Sequence, residues 1–136
     1  MIMLLQPKKF KYRRQFVGVD RGRAHRGNAL VFGEYGLKAV TGARISARQI
    51  EAARKAIVHY TKREGKIWIR VFPDKPMTKK PKETRMGSGK SAVDHYAAIV
   101  KPGRIIFEVA GLPEAKAKRA LRLAGDKLSV RTVMIQ

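Results

Sequence analysis

The 136-residue chain contains no cysteine, and only 10 of its residues are acidic. Without cysteine it can form neither a disulfide framework nor a thiolate metal site. So few carboxylates leave no evident pair for general acid–base catalysis. No apolar run approaches the roughly 20 residues of a membrane-spanning helix, and the five apolar residues at the start lack the basic opening of a secretory signal. These absences favour a cytosolic protein that contacts no membrane.

Positive charge is in large excess. Lys and Arg number 31, which gives a formal net charge of +21. Self-repulsion on this scale destabilises a compact state unless counter-charge is present, and nucleic acid is its commonest source. Arg suits bidentate phosphate contacts, and Lys acts as a point charge. The hydrophobic fraction of 44% is ordinary for a globular protein, and the length predicts one domain over residues 1–136.

Two segments with apolar residues at helical spacing predict helices. The first covers Ser46 to Glu64; it begins with a capping-box pattern, Ser46 with Gln49, and is followed by Gly65 as a C′ stop. Its predicted core residues are Ile50, Ala53, Ile57 and Tyr60. The second begins at Pro113 and ends near Gly125. Its predicted apolar stripe is Ala117, Ala120, Leu121 and Ala124.

Apolar runs at 67–72, 92–100 and 104–110 predict strands, with shorter extended pieces inside 28–40 and 128–135. The turn Lys101-Pro102-Gly103 predicts that the second and third of these strands pair as a hairpin. Residues 41–44 are predicted to be a loop. Because strands and helices are mixed rather than alternating, we predict an α+β fold, a small and mostly antiparallel sheet with two packed helices.

Two segments are rich in cations and poor in core residues. Residues 1–28 form a basic N-terminal arm in which Phe10, Tyr12 and Phe16 are interleaved with Lys and Arg. Residues 73–91 form a long basic loop that contains three prolines. Aromatic rings among dense positive charge favour a segment that becomes ordered on RNA over a solvated tail.

The loop ends in Gly89-Lys90-Ser91, which also fits the end of a nucleotide-binding P-loop. A P-loop needs a glycine five residues before Gly89, a preceding strand and a following helix. Thr84 stands at the first position, and the residues after Ser91 predict a strand. The three histidines are isolated and make no convincing catalytic or metal site. We therefore expect no enzymatic activity, no cofactor and no metal.

Familiar nucleic-acid-binding motifs are missing as well. There is no helix-turn-helix spacing, no zinc-finger ligand set and no heptad repeat. The aromatic motif of an RRM and the Gly-x-x-Gly of a KH domain are also lacking. Basic arms on a compact core fit the recognition of folded RNA by shape and phosphate. A free architectural nucleic-acid-binding protein is the alternative.

Six blocks, in order, resemble the bacterial ribosomal protein L16 (uL16) family through nearly the whole chain: LQPKKFKYRRQF, RGNALVFGEYGLKAV, ISARQIEAARKAI, GKIWIRVFPDKPMTKKP, ETRMGSGK and VKPGRIIFEVAGLPE. The resemblance implies an α+β core with basic extensions, a structural role in the large (50S) subunit of the cytoplasmic ribosome, and no catalysis. Its implied partners are 23S rRNA, 5S rRNA nearby, neighbouring large-subunit proteins and tRNA. It further implies a role in positioning aminoacyl-tRNA beside the A and P sites and in completing subunit assembly. Met1 and Met3 are both candidate initiators.

Matching positions in that family supply candidate contact residues. The basic opening and the PDKP motif are expected to contact rRNA through Lys8, Lys9, Lys11, Arg13, Arg14 and Lys75. Other cations of the arm, the loop and the first helix are added as rRNA candidates: Arg21, Arg23, Arg44, Arg48, Lys79, Lys80 and Lys82. The loop tip is expected to face tRNA through Arg85, Met86, Gly87, Ser88, Gly89 and Lys90.

Overall fold

A computed structural model of the chain describes residues 5–9, 11–80, 86–87 and 89–136. Its elements are β1 (Tyr35–Ala39), β2 (Ala43–Ser46), α1 (Ala47–Thr61), β3 (Lys66–Ile69), β4 (Lys75–Thr78), β5 (Val93–Val100), β6 (Ile105–Ala110), α2 (Glu114–Gly125) and β7 (Thr132–Ile135). They form a four-stranded sheet in the order β3-β6-β1-β7 and a three-stranded sheet in the order β2-β5-β4. All pairings are antiparallel. The predicted α+β fold is confirmed, with its strands divided between two sheets.

Helix α1 begins as the sequence predicts and ends earlier. The Ser46 side chain accepts a hydrogen bond from the Gln49 N–H at 3.2 Å, and the Gln49 side chain accepts one from the Ser46 N–H at 3.0 Å, so the capping box is confirmed. The helix ends at Thr61, and its C-cap Lys62 takes a left-handed conformation with φ 52°, so the predicted end at Glu64 with Gly65 as the C′ stop is wrong. Gly65 instead lets two chain segments approach, since a Cβ there would lie 2.4 Å from the Ala110 carbonyl oxygen.

The buried stripe of α1 includes a polar residue that the pattern did not predict. Ile50, Ala53 and Ile57 are fully buried, whereas Tyr60 is 40% exposed and the prediction for it is wrong. Thr61 is buried instead, because it lies one turn after Ile57 and nearer the centre of the stripe. Its hydroxyl donates to the Ile57 carbonyl at 2.9 Å, so its burial leaves no polar atom unpaired. In α2, the predicted stripe is confirmed as fully buried.

Strands β5 and β6 are joined by the predicted turn but do not pair with each other, so the hairpin prediction is wrong. In its sheet β6 lies between β1 and β3, whereas β5 lies between β2 and β4. The partner β2 comes from a segment predicted to be a loop. Both β5 and β6 have a neighbouring strand on each side in their own sheets, so neither has a free edge at which to pair with the other.

Part of the predicted basic loop 73–91 is a strand. Lys75–Thr78 forms β4, which pairs with β5 at the edge of the three-stranded sheet. Pro76 is compatible with that position because an edge strand has one row of N–H groups without a ladder partner. Lys75 and Pro76 are both buried. The assignment of residues 75–78 to a coreless loop is therefore wrong, and the described residues 79–80, 86–87 and 89–92 lie outside helices and strands.

The four-stranded sheet is covered on both faces. Leu37 and Phe107, which face each other across β1 and β6, pack with Leu121 of α2 in the core. The opposite face carries Glu108 with its cross-strand neighbours Gly36 and Trp68. Residues 27–34 cover this second face. Residues 27–34 therefore form a third layer of the fold, on the face of the sheet opposite α2.

Candidate nucleic-acid interface

The N-terminal arm was predicted over residues 1–28. In the structure the segment that lies along both sheets is residues 11–34, and the arm means these residues from here on. It contains no helix or strand, and every residue from 11 to 23 is exposed. Its sequence explains this, since it is interrupted by glycines and carries six Lys and Arg residues between Lys11 and Arg26. An extended, exposed segment presents its charges to a polyanion without first having to leave a core.

Cations of the core and of the loop bind the backbone of the first half of the arm. Lys75 of β4 donates to the Val17 carbonyl at 2.8 Å. Arg44 of β2 donates to the same carbonyl at 2.8 Å and to that of Gly18 at 3.3 Å. Lys90 donates to the Gln15 carbonyl. The arm is therefore attached through carbonyl oxygens, which leaves its own side chains directed elsewhere.

Four of the predicted contact residues have partners within the chain. Lys75 is only 9% exposed, and Arg44 also forms an ion pair with Asp20 at 2.8 Å. Lys90 is exposed, although its ammonium group reaches the arm. Lys80 donates to the Gly87 carbonyl at 2.8 Å and so links the start of the loop to its tip. In each case the charged group of a core or loop residue orders a segment of backbone.

The second half of the arm is attached by backbone hydrogen bonds and by Arg104. The Ala24 N–H donates to the Pro102 carbonyl at 2.9 Å, and the Ile105 N–H donates to the Gly27 carbonyl at 2.8 Å. Arg104 donates to the Arg26 carbonyl at 3.1 Å. These contacts fix the arm across the turn between β5 and β6.

A buried carboxylate holds the next part of the arm. Glu108 of β6 has no exposed surface, and one of its oxygens accepts the N–H groups of Val31, Phe32 and Gly33 at 2.9, 3.1 and 3.2 Å. Its other oxygen accepts a hydrogen bond from Arg70 at 2.5 Å. Burial raises the pKa of Glu108, but the bonds from Arg70 and the three N–H groups outweigh it, so the pKa lies below its usual value.

An aromatic ring is fixed beside this carboxylate. Phe32 stacks on Trp68 with 6.0 Å between ring centroids and 19° between planes, and the Arg70 guanidinium lies 5.3 Å from the Phe32 centroid. Phe32 is nevertheless 57% exposed. The residues that hold the arm also orient this exposed ring.

The remaining predicted contact residues are placed as follows. Exposed rRNA candidates in the described part of the chain are Lys8, Lys9, Lys11, Arg13, Arg14, Arg21, Arg23, Arg48 and Lys79. In the tip, Met86 is 93% exposed, and Gly87 and Gly89 are exposed with φ of 104° and 84°. Lys82, Arg85 and Ser88 lie outside the described residues. The described rRNA candidates extend along the chain from Lys8 to Arg23, with Arg48 on α1 and Lys79 just after β4.

Sequence reasoning missed two groups of residues. The first comprises the residues that hold the arm, Arg70, Arg104 and Glu108. The sequence signal for this group was the glutamate inside the apolar run RIIFEVA. The second comprises Lys118, Arg119 and Arg122, which are exposed on α2. Helix α2 covers the face of the four-stranded sheet opposite the arm, so these cations form a separate basic surface.

The P-loop alternative is contradicted by the local structure. Residues 91–92 have no regular structure and lead into β5, where a P-loop would continue into a helix. Within the described residues, no group of His, Asp and Glu side chains has an arrangement that would hold a metal ion. In the same part of the chain, no helix combines the length and the apolar character needed to cross a membrane.

Known proteins are similar to this chain over almost its full length. The family model described as ribosomal protein L16p/L10e matches residues 7–135. A large ribosomal subunit protein uL16 from Alkalilimnicola ehrlichii is 57% identical over 133 residues, which cover 98% of this chain and 97% of that protein. The resemblance seen in the sequence blocks is confirmed. From these matches across almost its full length, the chain belongs to the ribosomal protein L16p/L10e family.

Proposed function

We propose that this chain, a structural constituent of the large ribosomal subunit, binds 23S rRNA through the outward-facing cations of its arm and contacts tRNA through its loop tip. The observation that carries the proposal is the mode of attachment of the arm. Core cations bind arm carbonyls, and the cationic side chains of the arm are left exposed.

Charge in the exposed part of the arm is almost all of one sign. Residues 11–23 contain five cations and one acid, Asp20, which is paired with Arg44. The five cations are Lys11, Arg13, Arg14, Arg21 and Arg23. Such a segment releases counterions when it neutralises phosphates, and this release supplies most of the sequence-independent affinity for RNA. Contacts of this kind set the position of the protein on its RNA.

This proposal gives Lys75 and Arg44 a different role from the direct rRNA contact that the sequence predicted. Their charged groups bind the Val17 carbonyl, and Lys75 is nearly inaccessible. We assign them to positioning the arm. Lys79, which follows β4 and is exposed, keeps its proposed role as a direct phosphate contact.

The proposed tRNA contact is made by the tip Arg85–Lys90. The described tip residues support close approach of RNA, because a Cβ at Gly87 or Gly89 would meet no atom within 4 Å and the backbone there is open. Glycine at positive φ gives a partner direct access to backbone N–H groups. From the family resemblance, the chain is proposed to help position aminoacyl-tRNA and to complete subunit assembly.

Sedimentation and salt dependence test the proposal together. The native protein is expected to sediment with 50S particles at high salt, whereas a free architectural protein would be released and would bind duplex DNA as well. Binding of the purified chain to 23S rRNA fragments is expected to weaken steeply with salt, each phosphate contact adding about 0.7–0.9 to the log–log slope. A flat salt response would contradict the electrostatic account.

A further inference from the structure

A cleft with aromatic and cationic walls lies where the arm meets Lys90 of the loop. It is lined by Tyr12, Arg14, Gln15, Phe16 and Lys90, and its volume is about 430 Å³. Clefts that bind small ligands have volumes of roughly 300–1,000 Å³. None of the lining residues is acidic.

The two aromatic rings are exposed to an unusual degree. Phe16 is 94% exposed and Tyr12 is 65% exposed. A large apolar ring gains free energy whenever a partner removes it from water. The Lys11 ammonium lies 5.8 Å from the centroid of the Tyr12 ring, so positive charge borders the cleft on this side as well.

The arm is fixed to the loop at the middle of the cleft. Lys90 donates to the carbonyl of Gln15, the residue between Arg14 and Phe16. This bond uses one of the three N–H donors of the ammonium group, which leaves two for another acceptor. The cleft therefore combines an apolar surface with cations that still have free hydrogen-bond donors.

We propose that this cleft binds one unstacked nucleobase of single-stranded RNA, with the base against Phe16 and Tyr12 and its phosphate held by Arg14 and Lys90. The proposal rests on the proposed function, since it specifies how the arm engages RNA. A nucleotide joins a flat apolar face to an anion, and this cleft offers a complement to each part. Stacking on aromatic side chains tolerates any base, so the site gives affinity with little sequence preference.

Two single-stranded ligands separate stacking from phosphate binding. One is an oligoadenylate of about 12 nucleotides, a length within the range that single-strand-binding domains contact. The other is an abasic oligomer with the same number of phosphates. Both are titrated with the full chain over a series of salt concentrations. The variants are Phe16→Ala, Tyr12→Ala and Phe16→Trp, with Tyr60→Ala as the control because Tyr60 is a half-exposed aromatic on α1.

We expect Phe16→Ala to weaken oligoadenylate binding about tenfold, the effect of losing one stacked base, with no change in the salt slope. Binding of the abasic oligomer should not change, Tyr12→Ala should act in the same direction, and Phe16→Trp should restore affinity. Tyr60→Ala should have no effect. Equal losses with both oligomers, or no loss with Phe16→Ala, would overturn the base site.

The same titrations keep this proposal distinct from the proposed function. If the wild-type chain binds 23S rRNA fragments with steep salt dependence but Phe16→Ala is neutral on oligoadenylate, the base site is wrong and the rRNA role stands. If the wild-type chain binds neither RNA, both proposals fail.

Discussion

Arg70 donates a 2.5 Å hydrogen bond to Glu108, a carboxylate with no exposed surface. The second oxygen of this carboxylate accepts three successive backbone N–H groups, those of Val31, Phe32 and Gly33. An ionised carboxylate removed from water is stable only where partners replace its hydration. All four donors are therefore needed at once, and they come from the arm and from the segment that follows β3. One side chain of β6 thus joins two segments that are far apart in the sequence.

Loss of the Glu108 charge should destabilise the fold. We expect Glu108→Gln to lower the free energy of unfolding by about 3 kcal/mol, because the neutral amide leaves the partly buried Arg70 guanidinium without its counter-ion. Urea unfolding followed by fluorescence of the single tryptophan, Trp68, measures this. The control is Glu51→Gln, which breaks a more exposed pair with Arg54 and should cost less than about 1 kcal/mol. Equal shifts for both variants would contradict the assigned role of Glu108.

The same site predicts how stability depends on pH. The pKa of Glu108 is lowered in the folded state, so the unfolded chain binds more protons when the pH lies between the folded and unfolded values, and stability rises with pH there. The stabilisation should be complete above the unfolded carboxyl pKa of about 4.3 and should be lost as the pH falls through the folded value.

Urea midpoints measured from neutral pH down to strongly acidic pH test this dependence. The profile of Glu108→Gln should be flatter than that of the wild type. A residual slope should remain, because the hydrogen bond from Arg54 also lowers the pKa of Glu51. Identical profiles for the variant and the wild type would show that Glu108 does not contribute.

Local patterns in the sequence predicted the elements whose causes are local. The capping box of Ser46 with Gln49 and the buried stripe of α2 need no information beyond a few neighbouring residues. Strand pairing depends on long-range partners, so the separation of β5 and β6 into two sheets was missed. The same reason applies to Lys75: a lysine beside prolines fits an exposed loop, and its partner, the Val17 carbonyl, lies 58 residues away in sequence. The exposure of the arm cations was easier to predict, because it requires no partner within the chain.

Substitutions at two glycines distinguish the cost of a strained backbone from the cost of a steric clash. Gly65 has φ +74°, and a Cβ there would lie 2.4 Å from the Ala110 carbonyl oxygen, whereas Gly18 has φ +65° with nothing within 4 Å. We expect Gly18→Ala to cost about 1–2 kcal/mol, the effect of the left-handed backbone alone. Gly65→Ala should cost about 1–3 kcal/mol more, because the chain must also move to accept the methyl group. Urea unfolding compares the two variants, and equal costs would show that the Gly65 region has room to relax.

Arg85 is proposed to act at the tRNA side. Arg85→Ala should leave the urea midpoint unchanged and weaken tRNA binding to reconstituted large subunits about tenfold, the loss expected for one charge-assisted hydrogen bond. Lys118→Ala on α2 is the matched control, since it removes an exposed cation from another surface and should not affect tRNA. A lower unfolding midpoint for Arg85→Ala would assign Arg85 a structural role.

Lys75 and Lys79 provide a matched pair for the attachment of the arm. Lys75 is buried and donates to the Val17 carbonyl, whereas Lys79, one residue beyond β4, is exposed. Lys75→Met keeps the buried stem and removes the hydrogen bond, so the core should lose less than about 1.5 kcal/mol. The arm should be released more often, and trypsin should cleave it faster at its arginines.

Binding to 23S rRNA fragments should distinguish the two lysines. Lys75→Met should weaken binding because a looser arm loses more entropy on the RNA, while the salt slope stays the same. Lys79→Met should lower the slope by about 0.7–0.9, the loss of one phosphate contact, and leave proteolysis unchanged. If Lys75→Met instead lowers the slope and cleavage of the arm does not accelerate, then Lys75 contacts RNA directly and does not act as the anchor of the arm.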